Sequence, residues 1–320
     1  MRNVRTPTAD DVLPASEIVA RHLAPTPVLA SPALGAGVVL KLETFQPTGS
    51  FKVRGALVAV ARAAGRDRDT PIVTASAGNH GLGVAYAATA FGMTATIVVP
   101  ENASSAKLAA LARFDVTLVP KGASYDEAEA YAIALADEGA TFVSPYNDPD
   151  TISGQGSIAL ELFDQVPDVR TIVVPIGGGG LISGIGLAAS LHPGVRVVGV
   201  QAAASPAIQS ALADGGASPI VVQPTLADGL AGNIESGSVT IGLARRYVAE
   251  IVSVTENEIG DAIRYLAREH GLIVEGSGAV GVAAVLHGRV HLGDGSTAVL
   301  LTGRNIAPKV YAALLNESAL

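Results

Sequence analysis

The sequence contains no cysteine and no tryptophan, and aromatic residues make up only 4% of its 320 positions. Without cysteine the chain cannot form disulfides, iron–sulfur clusters or a catalytic thiolate, and it suits a reducing compartment such as the cytoplasm. Charged residues are also few, at 16%, and the net charge is −8. A negative chain is a poor partner for nucleic acid or for an anionic membrane surface. No run reaches the roughly 18 apolar residues of a membrane span, so we expect a cytoplasmic protein that binds neither.

Hydrophobic residues are abundant, at 49%, and there are 36 glycines, which allows a large and closely packed core. Short β-branched runs alternate with longer alanine-rich stretches, and most runs are continuously apolar, as expected for strands buried on both faces. This alternation predicts mostly parallel sheets covered by helices. Strands are predicted at residues 71–74, 94–99, 116–119, 171–176, 196–201, 251–254 and 298–302, and helices at 81–90, 105–113, 124–136, 158–163, 256–269 and 279–287. Ser124 and Thr255 each precede a glutamate by three residues, the spacing of a capping box.

Lys52 lies in the segment 46–56, with the sequence QPTGSFKVRGA, just inside a predicted helix start. The positive end of the helix dipole disfavours an ammonium there and helps to keep the amine neutral. A neutral, partly desolvated lysine is what Schiff-base chemistry requires. Because most single lysines are ordinary surface residues, this interpretation needs support from elsewhere in the chain.

The segment 174–184, VPIGGGGLISG, follows a predicted strand and precedes a helix. Glycines let the backbone approach a ligand closely, and consecutive N–H groups at a helix start bind phosphate. A tight turn without a ligand is the alternative. A dinucleotide site has little support because no acidic residue ends the next strand near Gln201, and a Walker motif is excluded because no Lys-Ser/Thr follows the glycines. An amine and a phosphate site in one protein suggest pyridoxal phosphate (PLP), a phosphorylated aldehyde.

Two further segments follow predicted strands. The segment 74–81, TASAGNHG, brings the Ser76 hydroxyl and the Asn79 amide to a helix start, where they suit a carboxylate and a phenolic oxygen; a plain helix cap is the alternative. His80 alone is more typical of a packed histidine than of a catalyst. Thr302 ends the last strand, where open α/β sheets place ligands, and its hydroxyl could meet a heterocyclic nitrogen. Glu275 is interpreted as a carboxylate at a helix start, and no metal-ligand spacing occurs.

These segments, in this order, resemble the fold-type II PLP enzymes, and within them the serine/threonine dehydratase (threonine ammonia-lyase) group, which also includes serine racemases. The resemblance covers about residues 11–305 and rests on SFKVRGA (50–56), SAGNHG (76–81), GQGSIALE (154–161) and GGGGL (177–181). It implies a fold similar to the tryptophan synthase β-subunit, with two open, twisted, mostly parallel sheets flanked by helices. It also implies a large PLP-binding domain of residues 1–46 and 146–320, a small domain of residues 47–145, and an active site between them.

The resemblance implies PLP as the cofactor and a role for each matched residue. Lys52 would hold the cofactor as a Schiff base, and Asn79 would hydrogen-bond its 3′-oxygen. The phosphate would bind Gly177, Gly178, Gly179, Gly180 and Leu181, and Thr302 would face the pyridine nitrogen. The amino-acid substrate would contact Ser50, Ser76, Ala77, Gly78 and His80.

A hydroxyl beside the pyridine nitrogen cannot keep it protonated as an aspartate can, which favours prompt loss of a β-leaving group. We therefore expect Lys52 to take the α-proton of a substrate such as L-threonine or L-serine, with loss of the β-hydroxyl and formation of a 2-oxo acid and ammonia. A less common substrate, such as 3-hydroxyaspartate or a hydroxyectoine-pathway intermediate, stays open. A noncatalytic binding protein on the same fold also stays open, although it would not need Lys52.

Four features depart from the family pattern. Racemases carry a second catalytic serine where this chain has Ala77, which argues against efficient racemisation. The family's divalent-cation site has acidic residues where this chain has Gln201 and Ala207, so we expect no metal. Arg304 replaces a glycine and either recognises a polar substrate group or faces solvent, and Tyr146 is expected to reshape the pocket. The resemblance also implies a homodimer or higher homo-oligomer.

Overall fold

The computed structural model describes residues 2–316 and contains two β-sheets. The strands, in chain order, are β1 Val28–Ala30, β2 Val38–Leu42, β3 Ile72–Ala75, β4 Ala95–Val99, β5 Thr117–Pro120, β6 Thr141–Phe142, β7 Val169–Pro175, β8 Arg196–Ala202, β9 Glu250–Val254 and β10 Ser296–Leu301. The larger sheet has the order β1-β2-β10-β7-β8-β9 and the smaller has the order β5-β4-β3-β6. All pairs are parallel except β1 with β2. The predicted fold class is confirmed.

Helices cover both sheets. They are α1 Val12–Ala20, α2 Lys52–Arg66, α3 Asn79–Phe91, α4 Ser105–Leu111, α5 Tyr125–Asp137, α6 Pro149–Gln165, α7 Gly180–Ala189, α8 Ala207–Asp214, α9 Val239–Tyr247, α10 Glu256–His270, α11 Gly276–Leu286 and α12 Pro308–Asn316. The central strand β10 is buried along its whole length, as its continuous apolar sequence requires. Among residues 2–316, no helix combines the length and the apolar character needed to cross a membrane.

The two sheets use different parts of the chain. Every strand of the smaller sheet lies between residues 72 and 142, whereas the larger sheet combines the N-terminal strands β1 and β2 with four strands after residue 168. The division into a small domain nested inside a large one, with boundaries at residues 46/47 and 145/146, stays a prediction.

Several elements were not predicted from the sequence, including β1, β2, β6, α1, α8, α9 and α12. Helix α6 was predicted only from residue 158, but it begins at Pro149 because the Asp148 carboxylate accepts hydrogen bonds from the N–H groups of Asp150 and Thr151, at 2.9 and 2.8 Å. The capping box at Thr255 is confirmed.

The capping box predicted at Ser124 is half wrong. The Ser124 hydroxyl accepts from the Glu127 N–H at 3.3 Å, as expected. The Glu127 carboxylate, however, accepts from the N–H of Ala123 at 2.9 Å instead of from Ser124. The start of α5 is therefore capped by the Ser124 hydroxyl, while the Glu127 carboxylate binds the residue before Ser124, so the reciprocal pair of a capping box does not form.

A buried ion-pair network joins α2 to the larger sheet. Arg54 makes a two-pronged contact with Glu43, at 2.7 and 2.8 Å, and a second one with Glu161 of α6, at 2.6 and 2.9 Å. Lys41 of β2 also contacts Glu161, at 2.7 Å. Burial alone would raise the pKa of Glu43, but the Arg54 charge, together with the hydrogen bonds from Arg54 and Thr26, outweighs it and lowers that pKa. Helix α2, which begins at Lys52, is thereby fixed against the larger sheet.

Candidate active site

A cavity of about 580 Å³ opens where the two sheets meet. Its wall includes Ala75 at the end of β3, Pro175 at the end of β7 and Thr302 directly after β10. The carboxyl ends of parallel strands are where open α/β sheets place ligands. The cavity is therefore the candidate active site of the protein.

Lys52 lies in the wall of this cavity at the first position of α2. Its amine donates a hydrogen bond to the Pro145 carbonyl at 2.9 Å and sits 5.3 Å from the centre of the Phe51 ring. Burial lowers the pKa of Lys52 to about 8, against a smaller opposing effect of the Glu275 charge. The neutral amine predicted from the sequence is thus accessible near physiological pH.

The loop after β3 places Ser76, Ala77 and Gly78 in the cavity wall. The Ser76 hydroxyl accepts a hydrogen bond from the Gly78 N–H at 3.1 Å, which fixes the loop ahead of α3. His80 also lines the cavity, and its Nε2 lies 3.0 Å from the Val143 carbonyl. Burial and the nearby Lys52 lower the pKa of His80 to about 3, so the ring stays neutral.

Ser50 is the one predicted substrate contact that the structure does not bring to the cavity wall. Its side chain is fully buried, its hydroxyl has no hydrogen-bond partner, and its backbone pairs with Gly303 beyond β10. A direct contact between Ser50 and a substrate stays a prediction, and the position of this side chain gives it no support.

Glu275 is a site residue that the sequence interpretation missed. It immediately precedes α11, but its carboxylate makes no cap; it accepts from the Asn79 side chain at 2.7 Å and from the Asn305 N–H at 3.0 Å. The Asn305 amide in turn donates to the Asn79 oxygen at 2.6 Å. Burial, together with the charge of Asp228, raises the pKa of Glu275 to about 7. Only the wide separation of these residues in the sequence concealed the cluster.

The four glycines form the turn between β7 and α7, and all of them line the cavity together with Leu181. Gly179 has φ of +88°, a conformation that glycine adopts without strain. The first N–H groups of a helix have no acceptor within the helix, so those of α7 are available to a ligand. The structure thus places Lys52, Asn79, this turn and Thr302 around one cavity.

Two departures from the family pattern have clear structural outcomes. The Arg304 guanidinium donates to the Thr44 carbonyl at 2.5 Å, and Arg304 is exposed and lies outside the cavity wall, which supports the solvent-facing alternative. The Gln201 side chain accepts from the Gln209 N–H at 2.9 Å, which ties the end of β8 to α8. The expected absence of a metal at Gln201 stays a prediction.

An ion pair crosses the mouth of the cavity. Lys107 of α4 lies 3.2 Å from Asp228, in a short 3-10 helix at Asp228–Leu230, and both residues line the cavity. Their side chains are 47% and 68% exposed. Among residues 2–316, Lys52 and Lys107 are the only lysines or arginines in the cavity wall, whereas three acidic residues line it.

A shielded amine that shares a cavity with a row of helix-start N–H groups defines a site for a phosphorylated carbonyl compound. The donor set fits PLP, because the Asn79 amide and the Thr302 hydroxyl supply the remaining polar contacts that such a ring needs. The model of the family described as pyridoxal-phosphate dependent enzyme matches residues 19–303, and the chain belongs to this family.

Similar proteins include the L-threonine ammonia-lyase of Thermotoga maritima, 42% identical over 90% of this chain and 72% of that protein. The L-threo-3-hydroxyaspartate ammonia-lyase of Saccharomyces cerevisiae is 35% identical over 97% of both chains. Among solved structures, maize serine racemase superposes with a TM-score of 0.87 at 31% identity, covering 97% of each chain.

Proposed function

We propose that the protein is a PLP-dependent ammonia-lyase that converts a hydroxy amino acid with a neutral side chain, such as L-threonine or L-serine, to a 2-oxo acid and ammonia. The observation that carries this proposal is the shielded Lys52 amine, which shares one cavity with the Ser76 loop and the glycine turn. The 42% identity to a threonine ammonia-lyase supports the same reaction.

The proposed cofactor contacts follow the positions of the side chains. Lys52 would hold the aldehyde carbon, Asn79 would donate to the 3′-oxygen, and Thr302 would face the pyridine nitrogen. The N–H groups of Gly177, Gly178, Gly179, Gly180 and Leu181 would receive the phosphate. When bound, PLP supplies the electron sink for the negative charge left at the substrate α-carbon.

Lys52 is also the proposed base. Its pKa of about 8 leaves a useful fraction of neutral amine near neutral pH, so its Nζ can accept the α-proton of the substrate. Ser76, Ala77 and Gly78 hold the substrate carboxylate at the start of α3, where free N–H groups favour an anion. His80 remains neutral and adds a polar wall to this site without competing for the proton.

The charge of the cavity supports a neutral substrate side chain. A second carboxylate, as in 3-hydroxyaspartate, would need a free cation, but Lys52 is committed to the cofactor and Lys107 is already paired with Asp228. Asp126, which also lines the cavity, adds further negative charge at the mouth. Like charges in a partly desolvated site repel, so a dicarboxylic substrate is disfavoured.

The test is a substrate panel of L-threonine, L-serine and L-threo-3-hydroxyaspartate, with release of ammonia and of D-isomers both measured. We expect ammonia from threonine or serine, with little from hydroxyaspartate and little racemisation. Lys52→Ala should abolish the release, whereas Lys121→Ala, a control outside the cavity, should retain it. Ammonia release by Lys52→Ala, or no reaction with any of the three amino acids, would refute the proposal.

We also propose a cytoplasmic location, which the composition suggests, and a homodimer, which the family resemblance implies. The absence of cysteine supports a reducing compartment. Exposed apolar side chains such as Phe45, at 56%, support a subunit contact. Light scattering should give twice the 32.2 kDa of one chain, and a mass of one chain at micromolar concentration would contradict the dimer.

A further inference from the structure

The four glycines of the phosphate turn are each confined by a protein neighbour. A Cβ on Gly177 would lie 3.0 Å from the Leu230 Cα, and a Cβ on Gly179 would lie 2.9 Å from the Thr240 Cβ. A Cβ on Gly180 would lie 2.8 Å from the Cα of Tyr146. Other residues of the protein therefore pack into the space that a side chain at these positions would occupy.

Gly178 has the most specific neighbour. A Cβ at this position would lie 2.5 Å from Cγ and 2.6 Å from Cδ1 of the Tyr146 ring. These ring atoms are next to the Tyr146 backbone, so they cannot swing aside as the end of a flexible side chain could. The ring therefore packs directly against the Gly178 backbone.

The other contacts of Tyr146 and Gly178 fix this packing. The Tyr146 hydroxyl accepts a hydrogen bond from the Glu235 N–H at 2.9 Å, which anchors the far end of the ring. The Gly178 carbonyl accepts from the Thr240 hydroxyl at 2.8 Å. In a trans peptide the carbonyl and the following N–H point in opposite directions, so this bond turns the Gly179 N–H away from Thr240.

We propose that Tyr146 is a positioning residue for the cofactor phosphate, because its ring holds the Gly178 peptide in the orientation that presents the N–H groups of the turn. Correctly oriented donors bind an anion without a reorganisation cost, so a loosened turn binds phosphate more weakly. The cofactor affinity, and not only the stability of the fold, depends on the Tyr146 ring.

A double-mutant cycle tests this directly, with the Kd of PLP measured by absorbance titration of cofactor-free protein. Tyr146→Ala should weaken binding about tenfold, and Gly178→Ala should weaken it more, because the new methyl meets the ring. In the Gly178→Ala/Tyr146→Ala double variant the methyl has room, so its Kd should match that of Tyr146→Ala within about threefold. If each substitution instead raised Kd by its own factor and the two factors multiplied in the double variant, the proposal would be overturned. That result would mean that Gly178 is confined by something other than Tyr146.

Gly179→Ala is the matched control in the same turn. Gly179→Ala should also weaken PLP binding, because Gly179 has a positive φ and the new methyl would meet Thr240. Adding Tyr146→Ala should not restore that binding. If Gly178→Ala does not fold, the Kd values of Tyr146→Phe and Tyr146→Ala are compared instead. Phenylalanine keeps the ring and should hold Kd within about threefold of the original protein. Equal values of Kd for the Phe and Ala variants, or an unchanged Kd for Tyr146→Ala, would overturn the proposal.

Discussion

At the scale of single residues, Glu275 illustrates how a buried carboxyl can serve a site without being its catalyst. It orients the Asn79 amide by accepting one of its two N–H groups, and the other remains for a ligand. Since Asn305 donates to the oxygen of the same amide, both ends of the Asn79 side chain are fixed. The cost of this arrangement is a carboxylate held away from water.

We predict that Glu275 makes stability depend on pH. Folding raises the pKa of Glu275 from 4.5 to about 7. The stability that the protonated carboxyl contributes is therefore fully present below pH 4.5 and is lost as the pH rises through 7. Relative to Glu275→Gln, the original protein should lose up to about 3 kcal/mol of unfolding free energy between pH 4.5 and 8. Urea unfolding of the cofactor-free proteins at both pH values measures this, and identical pH profiles would contradict it.

A second prediction at this scale concerns Asp228. Asp228→Asn frees the Lys107 ammonium to meet a second substrate carboxylate, so the ratio of kcat/KM for 3-hydroxyaspartate to that for threonine should rise about fivefold at low salt. The gain is modest because both side chains are largely exposed. Asp115→Asn, which lies outside the cavity wall, is the control. An unchanged ratio would show that the ion pair does not select substrates.

The sequence predicted Lys52, the glycine turn, Asn79 and Thr302 because each follows or begins a recognisable element. It did not reveal the roles of Glu275 or Tyr146. Their partners lie in other segments, and only the packing of those segments decides where such side chains point. For Arg304 the sequence left two positions open, and the choice depends on the Thr44 carbonyl, which accepts a hydrogen bond from the guanidinium.

At the scale of elements, glycines let α2 and α6 pack backbone against backbone. A Cβ on Gly154 of α6 would lie 2.7 Å from the Gly55 Cα and 2.8 Å from the Arg54 carbonyl. Glycine is a poor helix former, which is why α6 was predicted only from residue 158. The same residues that weaken the local helix signal are the ones that allow the close contact.

We predict opposite effects for one substitution at two helical glycines. Gly154→Ala should lower the unfolding free energy by about 1–3 kcal/mol, because the methyl overpacks the contact with α2. Gly65→Ala, near the end of α2 with open space around it, should raise that free energy by about 0.5–1 kcal/mol through helix propensity. Urea unfolding of both variants measures the difference, and a stabilising Gly154→Ala would contradict the packing argument.

At the scale of the whole molecule, the buried network around Arg54 joins α2, which packs against the smaller sheet, to β2 and α6 of the larger-sheet side. The sequence contains these charges, but nothing in it indicates that residues so far apart meet. The division of the chain between two sheets is equally hidden, because no linker marks it. Topology was predicted here by family resemblance and not by local pattern.

We predict that Arg54→Met destabilises the protein by about 3–5 kcal/mol, because it leaves the fully buried Glu43 carboxylate without its partner. The Arg54→Met/Glu43→Gln double variant should recover part of the loss, since the unpaired charge is gone. Arg5→Met, which breaks the exposed pair with Asp11, should cost less than about 1 kcal/mol. Urea unfolding at pH 7 distinguishes these outcomes, and additive losses in the double variant would contradict the pairing.

The strand order of the larger sheet also has a consequence for synthesis on the ribosome. Among residues 2–316, β10 is translated after the other nine strands, yet it lies between β2 and β7, and Val38 must pair with Thr297. The smaller sheet can form as soon as residue 142 emerges, while the larger sheet waits for its central strand. Lys52 is translated long before Thr302, which completes the cavity. A cofactor that needs both residues can therefore bind only after Thr302 has emerged.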